Sequence, residues 1–397
     1  MDVSRIVPGR VSALCAPPIV EIKKWRGLVD QDKLLDLGQA VPNYLPPPAL
    51  REFLADCAAK PASYFYSPDD GLPRVKREIA DAYQDRYGAD IHPRDIVLTA
   101  GANNAFTNLA ITLFSPGDEV LMPAPWYFNH QMILSALGCR VTPVPTSADK
   151  GFKLDAADLE PYLGADTRAL VLVSPNNPTG ATVDRDALQG LYELACKRGI
   201  LLIVDETYMD FSPVPDAAAW LLRRRHWRET VIHVFTFSKS LSLCGLRIGL
   251  LAAHPDLLDQ VLKVHDCNTI CAPVLGQMAV GFGMRRLRDW LDAQSAAMAD
   301  KLSLFNRLFR ENRPRHFELV STGAFFAYVR HDLPGTSWQV CRRLALEEHI
   351  LTVPGEVFGP GQEAYIRLAL GNIAGRDFPV LMERLNRFNG GSRPASR

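Results

Sequence analysis

Three apolar, β-branched runs constrain this chain most: Ala169-Leu170-Val171-Leu172-Val173, Ile200-Leu201-Leu202-Ile203-Val204 and Val231-Ile232-His233-Val234-Phe235-Thr236. Each has strand length and little polar alternation, the pattern of a strand buried on both faces. Helix-length segments separate them, at residues 184–198 and 216 to about 227. Further strands are expected at 96–100 and 119–123, and further helices at 74–87 and from His254-Pro255-Asp256 to about 265. Alternating strands and helices of this length predict an α/β fold with a mostly parallel central sheet covered on both faces.

Each of the three runs ends in polar groups. Ser174-Pro175-Asn176-Asn177-Pro178-Thr179-Gly180 follows the first, Asp205-Glu206-Thr207-Tyr208 the second, and Phe237-Ser238-Lys239-Ser240 the third. Arg247 stands eight positions after Lys239, beyond a stretch too punctuated by glycine for ordinary helix. Open α/β sheets bind ligands at the carboxyl ends of their strands. A lysine taken alone is a solvated surface residue; this one has two neighbouring strand ends to work with.

The order N-N-P-T-G, then D-E-T-Y, then S-K with a later arginine resembles the aspartate-aminotransferase-like, class I/II, fold type I pyridoxal-phosphate enzymes. The resemblance runs from about Leu35 to about Arg367. It implies pyridoxal 5'-phosphate as cofactor, held as a Schiff base by Lys239. Desolvation and nearby positive charge would lower the pKa of that lysine. Asp205 would keep the pyridine nitrogen protonated, braced by His130. Asn177 and Tyr208 would face the ring phenolate oxygen. Tyr127 would stack on the ring, with Trp126 as the local alternative. The phosphate would sit among Thr236, Ser238, Arg247 and a helix opening at Gly101-Ala102-Asn103, where free amides and the helix dipole favour an anion.

Ala364-Tyr365-Ile366-Arg367-Leu368 resembles the family strand whose arginine grips the substrate α-carboxylate, a task suited to the planar guanidinium fork. Asn177 and Gly38 would join it, Gly38 because it lacks a Cβ. The pattern Tyr66-Ser67-Pro68-Asp69-Asp70-Gly71-Leu72-Pro73 resembles the loop whose tyrosine reaches the phosphate of a neighbouring subunit, which implies a homodimer with shared sites. Gly359-Pro360-Gly361-Gln362-Glu363-Ala364 matches G-x-G-x-x-A in letters but precedes a strand, so it is not a dinucleotide site.

At 397 residues the chain has room for two domains. The expected division is an N-terminal segment (1–45) crossing the active-site mouth, a large cofactor-binding domain (46–272), a small α+β domain (273–388) and a flexible tail (389–397). Residues 142–166 read as turn-rich. Forty-four basic and 44 acidic residues cancel, so no net field favours nucleic acid or an anionic membrane. No secretory pattern opens the sequence and no run approaches a membrane span, which points to a cytoplasmic protein. The eight cysteines form no C-x-x-C pair, so reduced thiols are expected in place of disulfides or a metal site.

The activity implied is transfer of an amino group from an L-amino acid to a 2-oxo acid. The alternatives are β- or γ-elimination, or dehydration with cyclisation, on the same cofactor. A non-catalytic regulator would need a DNA-binding domain, and no helix-turn-helix pattern precedes the core.

Overall fold

The computed structural model describes residues 6–212 and 219–389. Seven strands form the central sheet, in spatial order Ile96–Thr99, Gly249–Ala252, Val231–Thr236, Leu201–Asp205, Thr167–Val173, Glu119–Ala124 and Arg140–Pro145. All pairings are parallel except the two made by Gly249–Ala252, which runs against both neighbours. Alternate residues serve opposite faces, as a strand demands. Leu170, Leu172, Leu202 and Val204 join one buried cluster; Ala169, Val171 and Ile203 join the other. Helices Pro73–Tyr87 and Arg185–Arg198 cover the first face, through Val75 and Ile79 and through Leu188 and Leu191. Helices Ala102–Leu113 and Pro255–Asn268 cover the second, through Phe106 and Leu109 and through Leu258 and Val261.

A smaller antiparallel sheet follows, in the order Val353–Pro354, Tyr365–Ala369, Phe326–His331 and Phe317–Gly323. The long helix Arg288–Asn312 spans both cores, giving Leu291 to the large one and Phe305 and Phe309 to the small one. The loop that follows strand Thr167–Val173 meets the small sheet where Gly180 abuts Gly323. Gly180 has φ +73°, and a Cβ on it would overlap the Gly323 backbone. Nearby, Ser321 Oγ donates to the Thr179 carbonyl at 2.8 Å.

Several local expectations need correction. The turn-rich stretch contains the edge strand Arg140–Pro145; its two prolines lack N–H groups and are tolerated because one side of the strand is unpaired. No continuous helix approaches Trp227. Residues 213–218 lie outside the described residues, and 219–230 hold a single 3₁₀ turn, an extended Arg224 and one short helical turn. The N-terminal segment, proline-rich with a short amphipathic piece expected around Val20-Glu21-Ile22, carries a helix there, Pro18–Arg26. Helix Ser337–Glu348 was not anticipated. The tail beyond residue 389 lies outside the described residues.

Candidate active site

Because six of the seven strands run the same way, the chain leaves each of them at one edge of the sheet. A cleft of about 520 Å³ opens there. Thr236, the last residue of its strand, caps a single helical turn, Phe237–Ser240, with its side chain accepting from the Ser238 amide. That turn aims Lys239 into the cleft, where Nζ donates to the Ala40 carbonyl at 2.6 Å and lies 3.8 Å from Cys244 Sγ. Burial above all, with Arg247 and Arg367 adding positive charge, pulls the lysine below its ordinary pKa against an opposing contribution from Cys244.

Asp205 ends the neighbouring strand at the cleft floor. Its Oδ2 contacts His130 Nε2 at 2.8 Å and its Oδ1 accepts from the Thr207 amide at 2.9 Å. Burial works to raise this carboxyl, but the hydrogen bond and charge of His130, with the Thr207 contacts, outweigh it and hold the group below the usual carboxylate range. His130 stands behind the lining, its ring against Phe106 at 3.9 Å between centroids and edge-on to Tyr127. Tyr127 faces the cleft, its hydroxyl held by Asn129 at 2.9 Å and near Asn103 at 3.4 Å. Trp126 packs elsewhere, against the core beneath Ala102–Leu113. Burial pushes the Tyr208 phenol well up.

One end of the cleft gathers anion-binding groups. Helix Ala102–Leu113 starts there, and no side chain caps its first turn. Thr236 Oγ1 and Ser238 Oγ are 2.9 Å apart, and Arg247 Nη1 reaches Ser238 Oγ at 3.5 Å. Among the described residues Arg247 meets no carboxylate; its other hydrogen bonds go to the Cys244 and Ala100 carbonyls. Gly101 has φ +90°, and a Cβ on it would run into the Arg247 guanidinium. It shapes the wall from behind.

At the other end stands Arg367, from the small sheet, 2% exposed. Its Nη1 donates to Asn177 Oδ1 at 2.8 Å and its Nη2 to the Gly38 carbonyl. The guanidinium lies over the rings of Phe326 and Phe358, and its Nε is buried without a partner. Burial pushes its pKa down to about 10. Gly38 therefore contributes through its carbonyl to the arginine and does not itself line the cleft. Tyr66 is 78% exposed and outside the cleft of its own chain.

Sequence reasoning missed Cys244, Thr207, Asn129, the Gln39–Val41 backbone and the mouth helix with Lys23. Cys244 lies in the glycine-punctuated stretch between Lys239 and Arg247, and Thr207 inside D-E-T-Y; the others carried no such motif.

The donor set suits pyridoxal phosphate. An uncapped helix start beside two hydroxyls and an acid-free arginine fits a phosphate dianion. A buried, ionised carboxylate fits a protonated ring nitrogen, and a desolvated lysine fits an aldehyde.

Comparison with known proteins agrees. Residues 32–385 match the family described as "Aminotransferase class I and II". The chain is 29% identical over 314 residues to an aspartate aminotransferase of Thermotoga maritima, covering 77% of this chain and 78% of that one. It is 26% identical over 355 residues to aromatic-amino-acid aminotransferase 2 of Thermococcus litoralis, covering 88% and 90%. The crystal structure of an aminotransferase from Mycobacterium tuberculosis superposes with a TM-score of 0.86 at 26% identity, over 96% of this chain and 98% of that one.

Proposed function

The chain belongs to the class I and II aminotransferase family, and from that premise we propose that this cleft holds pyridoxal 5'-phosphate and passes an amino group from an L-amino acid to a 2-oxo acid. Bound there, the cofactor supplies an aldehyde that captures amines and a ring that accepts the electron pair left when the substrate Cα–H bond breaks. Lys239 is the amine that holds the aldehyde between turnovers. Burial lowers the pKa of its Nζ, which favours the neutral amine that would take the Cα proton of a bound substrate. Asp205, kept ionised by His130, holds the proton on the ring nitrogen. Asn177 and Tyr208 would hold the ring oxygen and Tyr127 would pack on the ring; all three line the cleft. Thr236, Ser238, Arg247 and the amides of Ala102 and Asn103 bind the phosphate, with Gly101 making room. Arg367, steadied by Asn177 and Gly38, binds the α-carboxylate.

The observation that carries this reading is the convergence of Lys239, Asp205 and Arg367 on one cleft from two different sheets. Borohydride reduction of the holoenzyme followed by peptide mapping tests it. The label is expected on Lys239, and a label on any other lysine refutes the assignment.

The exposed aromatic run Tyr64, Phe65 and Tyr66 supports a two-fold homodimer in which Tyr66 reaches the partner's cleft. Mixed dimers of Tyr66→Phe and Lys239→Ala chains should regain activity, because one site of each hybrid carries neither lesion. A fully active monomer in sedimentation would exclude the arrangement. Eight free thiols suit a reducing cytoplasm, which cell fractionation can check; among the described residues no helix is long and apolar enough to cross a membrane.

A further inference from the structure

The segment 37–43 leads from the two-residue strand Leu35–Asp36 along the cleft. It lies outside the three sheets, yet its peptides alternate as those of an extended strand do. Odd-numbered residues turn to the small domain. Leu37 donates to the Leu351 carbonyl at 2.8 Å and accepts from the Ala369 amide at 2.9 Å, and the Asn43 amide donates to the Gly371 carbonyl at 3.1 Å. Even-numbered residues turn the other way, and their carbonyls meet two of the cleft's cations. Gly38 accepts from Arg367 Nη2 and Ala40 from Lys239 Nζ.

Between Leu37 and Asn43 a side chain takes over from the backbone. The strand Tyr365–Ala369 ends, and the chain turns through Leu370–Asn372. Asn372 then serves Gln39 and Val41 with its carboxamide. Its Oδ1 accepts from the Val41 amide at 2.7 Å, and its Nδ2 donates to the Gln39 carbonyl. A carboxamide carries both the donor and the acceptor of a peptide unit, and this one grips the residues on either side of Ala40. With both neighbours pinned, the Ala40 carbonyl has little freedom to turn. It is the short polar contact of Lys239, at 2.6 Å; Cys244 Sγ stands at 3.8 Å.

Resting on the role given above to Lys239, we infer that Asn372 is a positioning residue for the reacting amine: it fixes the Ala40 carbonyl, which gives that amine a set place whenever it is free. Gly38 and Ala40 are two residues apart on one extended segment, about 7 Å. The segment thereby sets the spacing between the cation assigned to the α-carboxylate and the amine assigned to the Cα proton. Asn372 keeps the amine's half of that spacing in register. A carbonyl acceptor also favours the ammonium over the neutral amine, so its grip opposes part of what burial does to Lys239.

The test is trace acetylation of the full chain without added cofactor. Acetic anhydride labels only neutral amines, and mass spectrometry of the Lys239 peptide gives the pH at which half of that amine is neutral. Asn372→Ala should move this midpoint down by about one pH unit, tenfold in the ammonium–amine equilibrium, the size of one hydrogen bond to a charged group. Asn372→Ser, too short to reach both neighbours, should do the same and serves if the alanine variant does not fold. The sign separates positioning from packing. A segment that merely came loose would admit water and move the midpoint up, toward the ordinary lysine value. Lys301→Met is the control. Lys301 holds the same segment further on, donating to Asn43 Oδ1 at 3.2 Å and to the Ile373 carbonyl at 3.0 Å, and its loss should leave the midpoint unchanged. A midpoint that stays or rises in the Asn372 variants, or that falls equally in Lys301→Met, overturns the inference. Pyridoxal phosphate added before labelling tests the underlying reading separately. It should shield Lys239 of the wild type; if that lysine is labelled as before, the cofactor assignment falls, while the midpoint still decides the role of Asn372.

Discussion

His130→Phe isolates the electrostatics of the cleft floor. In the protein without added cofactor, phenylalanine keeps an aromatic ring against Phe106 and Tyr127. It removes the 2.8 Å contact to Asp205 Oδ2. Asp205 retains the Thr207 amide at 2.9 Å but gains a carboxylate oxygen buried without a partner. Breaking a buried pair from one side costs about 3–5 kcal/mol. The carboxyl can escape part of that by taking a proton. From an ordinary aspartate value, neutralisation costs about 5 kcal/mol at about pH 7.5 and about 2 kcal/mol at about pH 5.5. The smaller penalty governs at each pH. For 397 residues the unfolding entropy is about 0.8 kcal/mol/K, so the losses become roughly 4–6 °C at the higher pH and roughly 2–3 °C at the lower.

The sign follows from linkage. Wild-type Asp205 is held below the usual range, so its stabilisation is present above the ordinary aspartate pKa and disappears as pH falls through the folded value. In the variant, burial acts without His130 and the folded value rises above the ordinary one. Its penalty then begins above the ordinary value and grows with pH. The gap between the two proteins must widen as pH increases, read by thermal unfolding under far-ultraviolet circular dichroism. A gap that is constant or narrows would mean that lost packing sets the cost, and the argument would fail.

Two further substitutions probe the junction of the sheets. Arg367→Met should leave stability within about 1 kcal/mol, because the lost bonds to Asn177 and Gly38 are offset by removing a buried cation that has no acid. It should raise KM for amino acids about a hundredfold; urea unfolding and steady-state kinetics read the two, and a loss beyond about 3 kcal/mol would make the arginine structural. Gly180→Ala should cost about 2–3 kcal/mol, since the new methyl needs a left-handed backbone and overlaps Gly323. An unchanged urea midpoint would show that the loop and the strand end can part freely.

The sheet was legible because its central strands are buried on both faces, which leaves continuous apolar runs such as 169–173. Arg140–Pro145 escaped because an edge strand needs no such run and can carry proline. Site residues on strand ends, Asp205 and Lys239, were legible through their motifs. Those brought in by tertiary approach were not. Lys239 meets the Ala40 carbonyl across 199 positions of sequence, and Lys23 lies in a helix whose pattern is that of any solvated helix. Among the described residues Lys23 pairs with no carboxylate, and that depends on which distant carboxylates the fold brings near. Local propensity carries no information of that kind.

The same distinction explains why the site needs both sheets. Strands running one way deliver Ala100, Asn177, Asp205 and Lys239 to a single edge. Gly249–Ala252 runs the other way, so it supplies a residue from its entrance, Arg247. None of these strand ends gives a cation at the far side of the cleft. Arg367 comes from the small sheet instead, and Asn177 of the large domain accepts one of its N–H groups at 2.8 Å. A stabilising ion pair would have used a carboxylate for that contact. The neutral amide orients the guanidinium while leaving its charge uncompensated in a buried place, a cost that an arriving carboxylate relieves. On the proposed reading the carboxylate is fixed by one sheet and the reacting amine by the other, so the Cα between them would lie within reach of Lys239 only while the two sheets stay closed together.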